Sequence, residues 1–98
     1  MEVNINVWDT VRYSTRDVDK LLLAYRLAND FIQRIEQCRE KLSQIDDRYL
    51  SEMAEYSRHF FEHGQPFKIL QQHRDIPNVS KLISMSEQSL IALESWTN

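Results

Sequence analysis

The chain has 98 residues, which is enough for one domain with a modest hydrophobic core. Four tyrosines, four phenylalanines and two tryptophans argue against intrinsic disorder, and the net charge of -3 argues against nucleic acid as a partner. The single cysteine, Cys38, excludes an intramolecular disulfide bond.

No apolar run approaches the roughly 20 residues that a membrane-spanning helix needs, so we expect no membrane partner. The first ten residues lack the basic region and apolar run of a signal peptide, which favours a cytoplasmic location. A chain with one glycine has no glycine-rich phosphate loop, and we predict no cofactor.

The amino-terminal segment alternates apolar and polar side chains over residues 1–8, which is typical of a strand. A lone strand has no ladder partner in this chain, so we predict an extended arm, with pairing to the same arm of another copy as one possibility. Ser14 follows as a candidate N-cap, and Asp17 is its capping-box partner.

The stretch from Val18 to His63 contains neither glycine nor proline and carries a near-heptad apolar stripe. Its members are Val18, Leu22, Tyr25, Ile32, Ile35, Cys38, Leu42, Ile45, Tyr49, Met53, Tyr56 and Phe60. Asp30 and Arg34, on the solvent side, are spaced for an i,i+4 ion pair.

Two structures produce such a stripe over residues 15–63. One is a single helix of more than 40 residues. The apolar stripe favours it, because its spacing continues without interruption through Ile45 and Tyr49. The other is a helical hairpin that breaks near residues 43–47, with Asp46 or Asp47 as the cap of its second helix, and ordinary helix lengths favour it.

Helix breakers cluster after residue 63. Gly64 is a candidate C-prime residue, Pro66 can open a short helix over 66–73, and Pro77 precedes a last helix over 79–96 that Asn78 or Ser80 can cap. We therefore predict a single all-α domain over 1–98. It is a small helical bundle built on a long helix or hairpin with a short helix and a C-terminal helix.

The densest cluster of chemically active side chains is the segment from Arg58 to Gly64, which has three interpretations. In the first, His59 and His63 share a helix face and bind a metal, with Glu62 completing an H-x-x-E-H pattern. A structural site of that kind needs a further ligand, for which His73 or Glu55 is the candidate.

In the second interpretation, Arg58 and His63 form an R-x4-H pattern with a polar residue after the arginine and a glycine after the histidine. This resembles the motif of HEPN-type helical ribonucleases, which are found in toxins and defence proteins. The resemblance covers seven residues and implies a helical dimer that cuts RNA. His63 would act as acid or base, and Arg58 would stabilise charge on the scissile phosphate. Gln65 stands where the family often has an aromatic residue.

In the third interpretation the segment is a helix end, with Phe60 and Phe61 in the core and His63 near the negative end of the helix dipole. With the segment interpreted as a helix end, we predict a non-enzymatic protein-interaction module of the adaptor, co-chaperone or inhibitor type. One C-terminal helix cannot cover the whole stripe, so we predict a protein partner, a homodimer by default. The predicted interface residues are Tyr25, Ile32, Ile35, Leu42, Tyr49, Met53 and Tyr56.

Overall fold

The computed structural model describes residues 3–4 and 14–97, and residues 14–97 form four α-helices. The helices are α1 (Thr15–Glu40), α2 (Asp47–His63), α3 (Gln65–Gln72) and α4 (Pro77–Ser95). This confirms the predicted all-α bundle with a long first helix, a short helix and a C-terminal helix.

Ser14 is the N-cap of α1, as predicted, but Asp17 bonds to the Ser14 hydroxyl and not to the Ser14 backbone N–H that a capping box uses. The hydroxyl of Ser14 accepts a hydrogen bond from the backbone N–H of Asp17 at 3.2 Å and donates to the Asp17 carboxylate at 2.8 Å. Ser14 thus satisfies one of the N–H groups that have no partner inside the helix, and Asp17 places negative charge near the positive end of the helix dipole.

The stretch over residues 15–63 is broken, as in the hairpin alternative. α1 ends at Glu40, a short 3-10 turn covers Leu42–Gln44, and Asp46 caps α2 by accepting from the backbone N–H of Arg48 at 2.8 Å. An aspartate side chain competes with helical backbone bonding and favours a cap, which explains why the continuous helix does not form.

The corner between α2 and α3 depends on Gly64. Its N–H donates to the Phe60 carbonyl at 2.7 Å, and its own carbonyl accepts from the backbone N–H of Lys68 at 3.2 Å. Gly64 is the C-cap of α2 and not the predicted C-prime residue, and its φ of -72° lies outside the left-handed region. Glycine is required instead by the close approach of Phe60, because any Cβ here would overlap the Phe60 carbonyl oxygen and press on its ring.

The predicted caps of the last helix are wrong. α4 begins at Pro77, with Ile76 in the N-cap position and no side-chain cap. A proline in the first turn has no N–H that needs a partner, so the helix starts without help from Asn78 or Ser80. The Asn78 amide instead donates to the backbone carbonyl of Asn4 at 2.6 Å.

The core is organised around α4, on which both α1 and α2 pack. α3 lies against the other three helices, whereas α1 and α2 make little direct contact with each other. The fully buried large side chains of the described residues are Leu21, Ile35, Leu70, Ile76, Val79, Leu82, Leu90 and Leu93. The helices α3 and α4 therefore hold α1 and α2 apart along part of their length.

The described part of the amino-terminal segment is fastened to α1. Val3 is buried, and the buried side chain of Asn29 forms hydrogen bonds with both the backbone N–H and the backbone carbonyl of Val3. The Val3 N–H donates to Asn29 Oδ1 at 3.0 Å, and Asn29 Nδ2 donates to the Val3 carbonyl at 2.8 Å. The remainder of the arm predicted over residues 1–8 lies outside the described residues.

Across the described ranges, none of the helices combines the length and the apolar character that crossing a membrane requires.

Candidate functional site: an aromatic cleft between the first two helices

A cleft of about 280 Å³ separates α1 from α2, and its floor is Phe67 of α3. It opens because the two helices are held on α3 and α4 rather than on each other. The residues that line it are Leu27, Asp30, Phe31, Arg34, Ile35, Met53, Tyr56, Ser57, Phe60, Phe61 and Phe67. A concave, mainly apolar surface with a few polar groups is the usual form of a binding site.

Phe67 organises the aromatic side chains of the cleft. It is 4% exposed, and its ring meets Phe31 of α1 edge-on, with centroids 6.5 Å apart. On the α2 side its centroid lies 5.8 Å from that of Phe60 and 4.7 Å from that of Phe61. These separations are typical of favourable aromatic pairs, so the floor is preformed and well packed.

The walls of the cleft, formed by α1 and α2, carry apolar side chains that are exposed to solvent. Tyr56 is 70% exposed and stacks on Phe60, with centroids 6.2 Å apart. Leu27, on the opposite wall, is 39% exposed, and its neighbour on the same helix, Leu23, is 58% exposed. Tyr49 extends the α2 wall toward the 3-10 turn and is 57% exposed. The apolar surface therefore extends beyond the cleft along both helices.

The charged residues that line the cleft are Asp30 and Arg34, both on α1. The predicted ion pair between them is not formed, and in the part of the chain that the structure describes neither side chain has a hydrogen bond or ion pair. Both are exposed. One acid and one base, a single helical turn apart, thus stand at the cleft without internal partners.

The structure divides the predicted interface residues into two groups. Tyr25 and Ile32 are buried among core residues of α1, α3 and α4, and Ile35 is buried where α1 approaches α2 and α4. The other predicted residues are on or near the surface, with Leu42 and Met53 half-buried and Tyr49 and Tyr56 exposed. Of the seven, Ile35, Met53 and Tyr56 line the cleft.

The residues of the R-x4-H pattern lie at the end of α2, outside the cleft. Arg58 forms a two-pronged ion pair with Glu94 of α4, in which Nε lies 3.0 Å from one carboxylate oxygen and the terminal Nη2 contacts the other. This hydrogen bonding raises the pKa of Arg58 and lowers the pKa of Glu94. The His63 side chain is 63% exposed. Arg58 therefore links α2 to α4.

The two histidines of the metal interpretation do share a face. The ring centroids of His59 and His63 lie 4.9 Å apart. Among residues 3–4 and 14–97, however, no group of three or more histidine, cysteine, aspartate or glutamate side chains is placed to hold a metal ion. The structure thus supplies two neighbouring imidazoles without the further ligand that a structural site needs.

Phe31, Phe67 and Leu27 belong to the cleft, although the heptad stripe does not include them. Phe31 lies one residue before the stripe residue Ile32, and Leu27 lies one residue before Ala28, which falls in the gap of the stripe between Tyr25 and Ile32. Both side chains are therefore rotated by about 100° from the stripe. A usable signal was the width of the apolar arc on α1, where Leu21, Leu22 and Leu23 are consecutive. A helix that is apolar on more than one face has more than one surface to cover.

Comparison of the chain with protein-family models, with curated proteins and with solved structures finds no match.

Proposed function

We propose that this chain is a non-enzymatic protein-interaction module that binds an apolar helical surface through the cleft and the exposed walls of α1 and α2, as a homodimer by default. The observation that supports this most directly is the exposure of Tyr56 and Leu27 beside a preformed aromatic floor. Large apolar side chains that cluster on a surface mark an interaction site more often than isolated ones do.

The spacing of the α2 wall supports a helical partner. Tyr49, Met53, Tyr56 and Phe60 follow one another at steps of four, three and four residues, which places them along one helix face. Helix-in-groove recognition uses this kind of arrangement, with side chains from one helix set between those of its neighbours. Aromatic side chains are also the anchors that supply much of the binding free energy at interfaces.

Site-specific photo-crosslinking in cells of the native host tests the proposal. A photoreactive amino acid at position 56 should give a cross-linked product of defined mass, and Leu27→Asp on the opposite wall should abolish it. The matched control is position 91, where Ile91 of α4 is 54% exposed but lies outside the cleft. Mass spectrometry of the product identifies the partner as a second copy or another protein.

The proposal is contradicted if positions 56 and 91 give the same products in the same yield, or if Leu27→Asp leaves the product unchanged.

The ribonuclease hypothesis has a separate test. Purified wild type and His63→Ala are incubated with RNA, and cleavage that depends on His63 would establish an enzyme.

A further inference from the structure

We infer that the surface that covers the cleft is a second copy of this chain, related by a two-fold axis, so that Asp30 of each copy pairs with Arg34 of the other. This inference depends on the proposed function and names its partner. The argument uses the sign and spacing of the two charges that line the cleft and the apolar character of the walls around them.

The first step is that these two charges have no internal role. Asp30 and Arg34 are exposed, and neither bonds to another side chain among the described residues. Asp30 and Arg34 are the charged residues among those that line the cleft, so they are the charges that an occupant of the cleft would meet. The cleft charges are therefore available to a partner.

The second step is symmetry. In a two-fold dimer both copies use the same patch. If Asp30 of one copy contacts Arg34 of the other, then Arg34 of the first copy also contacts Asp30 of the second. A patch with one acid and one base, four residues apart on a helix, is complementary to itself when two such helices cross antiparallel at the level midway between Asp30 and Arg34. A patch of a single sign would repel its own copy.

The third step is area. α2 has 17 residues and is about 25 Å long, and two neighbouring helices are about 20 Å wide, which gives a flat area of about 500 Å². The accessible area is larger because side chains such as Tyr56 project from it, and the exposed Leu23 extends it along α1. Two such faces together bury about 1,000 Å² or more, which reaches the lower limit of a specific interface.

Charge-reversal variants test the inference by sedimentation equilibrium. We expect wild type to dimerise and both Asp30→Arg and Arg34→Asp to weaken self-association about tenfold, because two attractive contacts become repulsive. An equimolar mixture of the two variants should recover wild-type affinity, because one copy then carries both positive charges and the other both negative charges. Glu36→Arg, which reverses an exposed charge of α1 outside the cleft lining, is the matched control.

A monomeric wild type at high micromolar concentration would overturn the inference, and so would a dimer that is indifferent to both reversals or a mixture that fails to recover. Such results leave the proposed function standing if position 56 still cross-links to another protein and Leu27→Asp abolishes that product. Circular dichroism of each variant excludes unfolding as the cause, and both substituted side chains are exposed.

Discussion

At the scale of single residues, the side chain of Asn29 supplies the backbone hydrogen bonds that a neighbouring strand would supply in a sheet. Its amide both accepts from and donates to the backbone of Val3, from a position that is 4% exposed. Buried backbone N–H and carbonyl groups need such partners, because an unpaired one costs free energy. Val3 can therefore be buried among helices without a sheet around it.

We predict that Asn29→Ala lowers the free energy of unfolding by about 2 kcal/mol, because it leaves both backbone groups of Val3 without their partner. The matched control is Asn78→Ala, which removes a single bond to the Asn4 carbonyl at a more exposed site. There we expect a loss below about 1 kcal/mol. Urea denaturation measures both values, and equal losses would contradict the assigned role of Asn29.

Residues whose partners are close in sequence were predictable, and Asn29 was not. The Ser14 and Asp46 caps bond to backbone groups three and two residues away, so local pattern reveals them. Asn29 bonds to Val3 across 26 residues, and no local rule identifies that pairing. Its signal was a polar residue beside Ala28 in the gap of the stripe between Tyr25 and Ile32.

At the scale of elements, α2 shows what periodicity can and cannot predict. The stripe predicts a helix with an apolar face through Tyr49 and Tyr56, yet the residues that α2 buries are Leu50 and Ala54. Among the stripe residues of α2, Met53 and Phe60 are half-buried against the core, whereas Tyr49 and Tyr56 are exposed. Periodicity specifies a face, whereas the packing of α4 decides which face is covered.

The pairing of Arg58 with Glu94 makes the docking of α2 on α4 sensitive to acid. Because hydrogen bonding to Arg58 lowers the pKa of Glu94, the bound carboxylate stabilises the folded state above the ordinary glutamate pKa. That stability is lost as the pH falls through the lowered pKa. The same contact raises the pKa of Arg58, so at the alkaline end the pair loses its stabilising effect only as the pH rises past the ordinary arginine pKa.

We predict that Glu94→Gln lowers the free energy of unfolding at pH 7 by about 0.5–1 kcal/mol, since the paired side chains remain 37% and 36% exposed and are screened by solvent. The difference between wild type and variant should shrink in acid, below about pH 4. Urea denaturation at pH 7 and pH 3 checks this.

The matched control for this pair is Glu52→Gln, because the partner Arg48 is 87% exposed and both residues lie on one helix. We expect a smaller change at pH 7. A loss for Glu94→Gln that stays constant down to pH 3 would contradict the assigned ion pair.

At the scale of the whole molecule, the sequence predicted the all-α class and the short and C-terminal helices, but it left one helix or two over residues 15–63 open and did not predict how the helices are arranged. Gly64, Pro66 and Pro77 mark the boundaries between α2, α3 and α4, because proline and glycine constrain the backbone locally, whereas no such residue marks the boundary between α1 and α2. The cleft arises from how α3 and α4 separate α1 from α2, which depends on contacts between residues far apart in sequence. The spacing of residues along the sequence does not reveal that α1 and α2 are held apart.

The same separation has a consequence for the motions of the native state. α2 buries Leu50 and Ala54 among its 17 residues, whereas α4 buries six of its 19. An element with few buried contacts opens at a lower free energy than the core, so α2 should detach as a unit while α1 and α4 stay folded.

Native-state hydrogen exchange followed by NMR measures this opening. We predict that the backbone amides of α2 exchange faster than those in the middle of α4, and that a bound partner in the cleft slows them toward the α4 rates. Equal protection of both helices without a partner would contradict this. The open face of the bundle is then also the place where the native state begins to come apart.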